Sequence, residues 1–230
     1  MKKQISRGGP EEISGAKAQD KKRVKIVFII AACVFTAALL LALGAELAAS
    51  LIRKRSESDA ASRREAEESG IFFFEPDYGE NIFEDEVYLA LDRNIRFNYM
   101  GEEILLTEQT ALRRGGAAQL FHDYFDCIIN GDYKTYPGFF TDEYKKSPYA
   151  EIPERFTMQK LCDIGVKLYD RRQNDDGVIT EIYEVRYAIF ENNGTFRRDI
   201  PSMETRTLVF ELVFEDGTPL INSIGRRANA

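Results

Sequence analysis

His122 is the single histidine of the chain, and Asp123 and Asp126 follow it closely. An imidazole and a carboxylate on one helix face can hold a metal or pass a proton. A transition-metal site wants three or four ligands, commonly several His or Cys, and one histidine does not supply them. The pattern therefore reads as the polar, partly exposed edge of an amphipathic helix, with His122 outside any deep pocket. Cys127 lies five residues beyond His122, about 140° around a helix, so the two do not face each other as a nucleophile and its base. Cys33 falls in a long apolar run as a filler. Cys127 and Cys162 are either a disulfide or two buried thiols, and the strict geometry of the bridge favours thiols. Asn193-Gly194-Thr195 matches the glycosylation sequon, but an Asn-Gly turn accounts for the same residues. Gly-rich phosphate loops, paired zinc-knuckle cysteines, repeats and nucleophile elbows do not occur in the sequence.

Those residues need elements to place them. From Gly116, Ala117, Leu120, Phe121, Tyr124, Phe125, Ile128 and Ile129 follow three-and-four spacing, which predicts a helix that Asn130-Gly131 stops. Residues 132–144 carry Tyr133, Tyr136, Phe139, Phe140 and Tyr144 around Pro137-Gly138, the composition of one or two helical turns over an aromatic core. Thr157 reads as the cap of a third helix running to about Asp163, with Leu161 and Cys162 on one side. Thereafter Asn174-Asp175-Asp176-Gly177, Asn192-Asn193-Gly194 and Asp216-Gly217 separate runs rich in Val, Ile, Tyr and Phe. In one run Ile179, Tyr183, Val185, Tyr187 and Ile189 share a face, with Thr180, Glu184 and Arg186 opposite. Leu208, Phe210, Leu212 and Phe214 repeat the pattern before a last strand at Leu220-Ile221. Upstream, the aromatic run Ile71-Phe72-Phe73-Phe74 reads as an ordinary buried strand, with a partner-docking patch as the alternative. Ile95, Phe97 and Tyr99 then alternate up to Gly101, and Ile104 and Leu106 resume, as in a hairpin or an extended arm laid on the domain surface. Helices followed by a meander predict an α+β domain, with helices packed on one face of a curved antiparallel sheet.

A membrane segment frames the rest. Residues 26–45 hold eighteen apolar side chains, Thr36 and Gly44. As a helix they span roughly 30 Å, the thickness of a bilayer's hydrocarbon core. Residues 1–25 carry eight Lys or Arg against three acidic residues, and the charges beside the apolar run place that end in the cytoplasm. The run is longer than a cleaved leader needs, so an uncleaved anchor is expected. The expected organisation is a disordered basic cytoplasmic tail (1–25), a transmembrane helix (26–45), a helical stalk (46–70), an extended or hairpin arm (71–114) and an extracytoplasmic domain (115–230). Residues 71–230 carry 18 basic against 29 acidic side chains. Such a domain lacks the cationic surface that neutralises phosphates, which excludes nucleic acid as a partner.

The order of a helix, Asn130-Gly131-Asp132-Tyr133, a short helix around Phe139-Phe140-Thr141, a third helix and a hairpin-rich sheet resembles the NTF2-like (cystatin-like) superfamily over residues 115–226. A basic tail, one anchor and an outward domain of this kind are similar to uncharacterised Gram-positive envelope proteins, and also to inner-membrane scaffold subunits of type IV secretion and conjugation machines. The Trp that often ends the last strand of the superfamily is missing, since the chain has none. The resemblance implies a cone between helices and sheet, lined here by Tyr124, Tyr133, Tyr169, Tyr183 and Tyr187 as candidate ligand-binding residues. In ketosteroid isomerases and scytalone dehydratases such a cone performs acid-base chemistry, but none of their motifs maps onto this chain, and tyrosine fills cores by default. The expected function is a non-catalytic, membrane-anchored binding or assembly module of the cell envelope, without a cofactor or metal. Its partners are membrane lipid through residues 26–45 and another envelope protein or a small ligand. A secretion scaffold, or a cone-pocket sensor or enzyme, are the alternatives.

Overall fold

The computed structural model describes residues 70–226 together with Arg64 and Glu68. Those residues belong to the unit that spans 62–230. The expected tail, transmembrane helix and nearly all of the stalk lie outside the described residues. No helix among the described residues is long and apolar enough to cross a membrane.

The described residues from 70 on are α+β, with four α-helices, two short 3-10 helices and one six-stranded sheet. The strands are β1 (Ile95–Tyr99), β2 (Glu102–Leu106), β3 (Leu161–Gln173), β4 (Ile179–Ile189), β5 (Arg206–Glu215) and β6 (Thr218–Arg226), ordered β2-β1-β3-β4-β5-β6. The helices are α1 (Glu86–Leu89), α2 (Glu108–Arg114), α3 (Gly116–Ile129) and α4 (Asp142–Lys146).

The sheet is mixed, which corrects the antiparallel expectation. The β1–β2 hairpin enters it through parallel pairing of Arg96 with Gly165 and Asn98 with Lys167. All other neighbours are antiparallel. Parallel strands need a long crossover, and everything from β2 to Lys160 supplies it. Register irregularities at Cys162/Gly165 and Leu168/Asp170 mark bulges in β3, and bulges bend a long strand. The β3–β4 and β5–β6 hairpins close where the turn signals predict: Gly177 N–H donates to Asn174 O at 3.0 Å, and Asp216 and Gly217 both take positive φ. The Asn192-Asn193-Gly194 signal instead falls inside a long β4–β5 connection, whose Phe196 and Ile200 are buried.

The third helix is absent. Thr157 does not cap one, because its hydroxyl accepts the Asn193 amide at 2.7 Å. Leu161 and Cys162 begin β3, where Leu161 pairs with Ile189 and Cys162 with Ala188, and the preceding Lys160 C=O accepts from Phe190 N–H at 2.8 Å. Two adjacent apolar residues fit either state, and the sheet partner decides.

The apolar stripe of α3 lies on the sheet as its spacing requires. Phe121 meets Tyr183 edge-on with centroids 4.9 Å apart and also touches Phe97 and Phe210, so one ring contacts β1, β4 and β5. Leu120, Phe125, Ile128, Val185, Tyr187, Phe210 and Leu212 are all buried. After α3, Gly131 turns the chain at φ +67°, and a Cβ there would come within 2.7 Å of Met158 N. The β6 edge is partly closed: Phe140 bridges to Ile221, and Thr141 N–H donates to Ile221 O at 3.0 Å.

Candidate functional site

Three of the five tyrosines meet between α3 and the sheet. Tyr124 contributes from α3, and Tyr183 and Tyr187 from the inward face of β4. Tyr124 packs edge-on against Phe125 and Phe210, Phe125 against Tyr187 and Tyr183 against Phe121, while Tyr183 stacks on Phe97. Edge-to-face rings of this kind fill volume densely, so the centre of the expected cone is packed with side chains. Tyr133 stands apart, edge-on to Phe156 and beneath Arg155. Tyr169 occupies the second bulge of β3 and is 64 % exposed.

The three hydroxyls have different fates. Tyr124 and Tyr136 share a hydrogen bond of 3.2 Å. Tyr183 donates to Glu181 at 2.6 Å. Tyr187 is buried with no hydrogen-bond partner among the described residues. Burial raises the pKa of all three above the ordinary phenol value, well above it for Tyr124 and Tyr183, with Tyr136 adding to the effect on Tyr124 and Glu181 on Tyr183. None of them can serve as a phenolate at neutral pH.

Glu181 is the member that the sequence reading missed. It shares the inward face with Tyr183, Val185 and Tyr187, and a carboxylate at that parity was the available signal. Its side chain is buried, and both oxygens are used. Oε1 accepts the Tyr99 hydroxyl at 3.1 Å and pairs with Arg171 Nε at 3.2 Å, while Oε2 takes Tyr183. Three donors meet the desolvation cost of a buried anion. The arrangement joins β1, β3 and β4 and leaves the carboxylate engaged on both oxygens.

His122 sits at the half-buried edge of α3, its side chain 19 % exposed, with Nδ1 2.9 Å from Asp123 Oδ1. Asp123 also accepts the Gln119 amide. Asp126 is occupied elsewhere, by the Asn130 amide, so the two carboxylates do not converge on the imidazole. Cys127 and Cys162 are free, buried thiols. Cys127 donates to Asp132 O at 3.0 Å, and burial together with Asp132 and Asp126 pushes its thiol up to about 12. Burial, then Asp163 and Asp92, takes Cys162 up to about 11. Neither is an activated nucleophile.

The sequon asparagine is 7 % exposed. Its amide donates to Thr157, and its oxygen accepts from both the backbone and the hydroxyl of Thr195, so the segment is spent on internal hydrogen bonds. Beside it, Phe73 lies buried against Gly194, where a Cβ would stand 3.0 Å from the ring.

Lys160, 7 % exposed, is the strongest ionic centre outside the core. Its ammonium reaches Glu80 at 2.7 Å, Asp85 at 2.7 Å and Glu191 at 2.6 Å. Burial disfavours the charge, but the hydrogen bonds that Lys160 donates to Asp85, Glu191 and Glu80 outweigh it and hold the lysine above its ordinary value. In return Lys160, helped by the Tyr88 N–H, holds the Asp85 carboxyl below its ordinary value. The cluster ties the stretch before β1 to the start of β3 and the end of β4. A second buried pair, Arg197 with Asp199, is two-pronged at 2.8 and 2.7 Å.

Exposed apolar and acidic side chains gather in the stretch ahead of β1, where the run 71–74 is not the buried strand expected of it, since Phe73 is buried but Phe72 and Phe74 are exposed. Phe72, Tyr78, Phe83, Val87 and Leu89 are exposed there, Phe72 to 70 %. No protein-family model matches the chain, no curated protein matches it in sequence, and no solved structure matches its fold.

Proposed function

We propose that the chain is a single-pass membrane protein, N-terminus inside, whose NTF2-like domain works outside the cytoplasm as a non-catalytic binding or assembly module of the cell envelope. The carrying observation is the division of labour among the aromatic residues. Between α3 and the sheet they pack on one another, and the hydroxyls of Tyr124 and Tyr183 are engaged internally. Ahead of β1, Phe72, Phe74, Tyr78 and Phe83 stand in solvent. A ligand site in a core needs room and converging polar groups, whereas an assembly surface needs exposed anchors around which water is excluded. The apolar run of residues 26–45 and the basic residues before it support the anchor and its orientation.

Reporter fusions at Gly70 and at the C-terminus test the topology: both should be active only with the reporter that functions outside the cytoplasm. Intact mass should show residues 1–44 retained, and their loss overturns the anchor. Genes for a conjugation or secretion machine beside this one would move the reading to the scaffold alternative. The ligand alternative draws on one observation, the buried and unpartnered Tyr187 hydroxyl. A small molecule held there would lose affinity in Tyr187→Phe.

A further inference from the structure

Between Phe72 and Leu89 the exposed large apolar side chains are Phe72, Phe74, Tyr78, Phe83, Val87 and Leu89. Their neighbours hold the stretch in place. Phe73, Ile82 and Tyr88 are buried, the Tyr88 hydroxyl donates to Leu161 O at 3.1 Å, and Phe74 N–H donates to Asn192 O at 3.0 Å. Lys160 clamps Glu80 and Asp85. Both ends of the stretch are thus fastened to one corner of the fold, the β4–β5 connection and the start of β3. Aromatic side chains presented on a fixed backbone lose little freedom on association, which favours them as anchors.

Charge selects the occupant. From Ile71 to Leu91 there are six carboxylates and no Lys or Arg. Lys160 pairs with Glu80 and Asp85, while Glu75, Asp77, Glu84 and Glu86 are exposed with no Lys or Arg partner among the described residues. A second copy meeting this face through a two-fold axis would set the same carboxylates against each other. An anionic bilayer surface would repel them. The surface already accepts one cation, for the Arg155 guanidinium lies 3.9 Å from the centre of the Tyr78 ring.

We propose that the Phe72–Leu89 stretch docks a segment of a partner protein that is apolar at its centre and flanked by Lys or Arg. This deepens the assembly reading and rests on it. The test places the photo-crosslinker p-benzoylphenylalanine at Phe72 or Phe83 of the full chain in cells, with Tyr149 and Tyr169 as comparison sites, and sequences the adduct peptides. Adducts from Phe72 and Phe83 should map to a Lys/Arg-flanked segment of a different protein and fall at least tenfold in Glu84→Lys/Glu86→Lys. If that variant loses abundance or melts early, Glu75→Lys/Asp77→Lys takes its place. Adducts to another copy, to lipid or to an acidic or uncharged segment overturn the proposal, as does survival of the adduct after charge reversal. In those cases a protein adduct at Tyr149 or Tyr169 leaves the assembly reading standing. No protein adduct at any of the four positions overturns both.

Discussion

Tyr183 and Tyr187, four residues apart on β4, make opposite use of their hydroxyls. One gives a short hydrogen bond to a buried carboxylate; the other is desolvated without a partner. Removing the first oxygen leaves Glu181 short of a donor, so Tyr183→Phe should destabilise the domain by about 1–3 kcal/mol. Removing the second relieves an unmet cost, so Tyr187→Phe should range from neutral to about 1 kcal/mol more stable. Urea titrations of the two variants check the contrast, and equal losses would mean that Tyr187 has a partner. Lys160 supplies a second case. Lys160→Met leaves three carboxylates facing each other without their cation, and a loss of about 3 kcal/mol at neutral pH is expected. The sign with pH follows from Asp85, whose folded value lies below its ordinary 3.8. The pairing therefore contributes fully above about pH 4 and fades as pH falls through the lowered folded value. The gap between parent and variant should narrow on acidification, and a gap that widens would count against the cage.

At the scale of elements, the turn after α3 depends on a residue without a side chain. Gly131 combines a left-handed backbone with an approach to Met158 too close for a Cβ. Gly131→Ala should cost about 2–4 kcal/mol, readable as an earlier urea midpoint at unchanged slope. That turn was legible, as were α3 and the faces of β4, because each follows from a local period or a local signal. The segment from Thr157 to Asp163 was not. Its capping residue and two apolar side chains satisfy a helix pattern, and only Asn193 and Ile189, more than two dozen residues on, show that the hydroxyl and the backbone are wanted elsewhere. Lys160 was invisible for the same reason: its partners at Glu80 and Glu191 are brought together by β3 and no sequence spacing links them. Of the five tyrosines read as cone-lining, Tyr124, Tyr183 and Tyr187 share an interior. Tyr169 was displaced by a bulge, which shifts every later side chain of β3 and leaves no mark in composition.

For the molecule as a whole, two thiols buried on different elements make a probe of global opening. Cys127 lies on α3 and Cys162 on β3, and burial raises both well above neutral pH. In a Cys33→Ser background at pH 8, both should react with an aromatic disulfide reagent at least a hundredfold more slowly in the native state than in urea. Fast reaction of one alone would reveal that its element opens independently of the rest. The parallel pairing of β1 with β3 has a different consequence, one of timing. Arg96 meets Gly165, about 70 residues later in the chain, and synthesis at roughly 5–20 residues per second makes that a delay of several seconds. Through that interval the nascent hairpin has its apolar Ile95, Phe97 and Leu106 ready and no strand to lay them beside. Among the described strands the first made therefore wait longest for the strand beside them, and a nascent chain halted before Gly165 would be expected to recruit a holding chaperone at the hairpin.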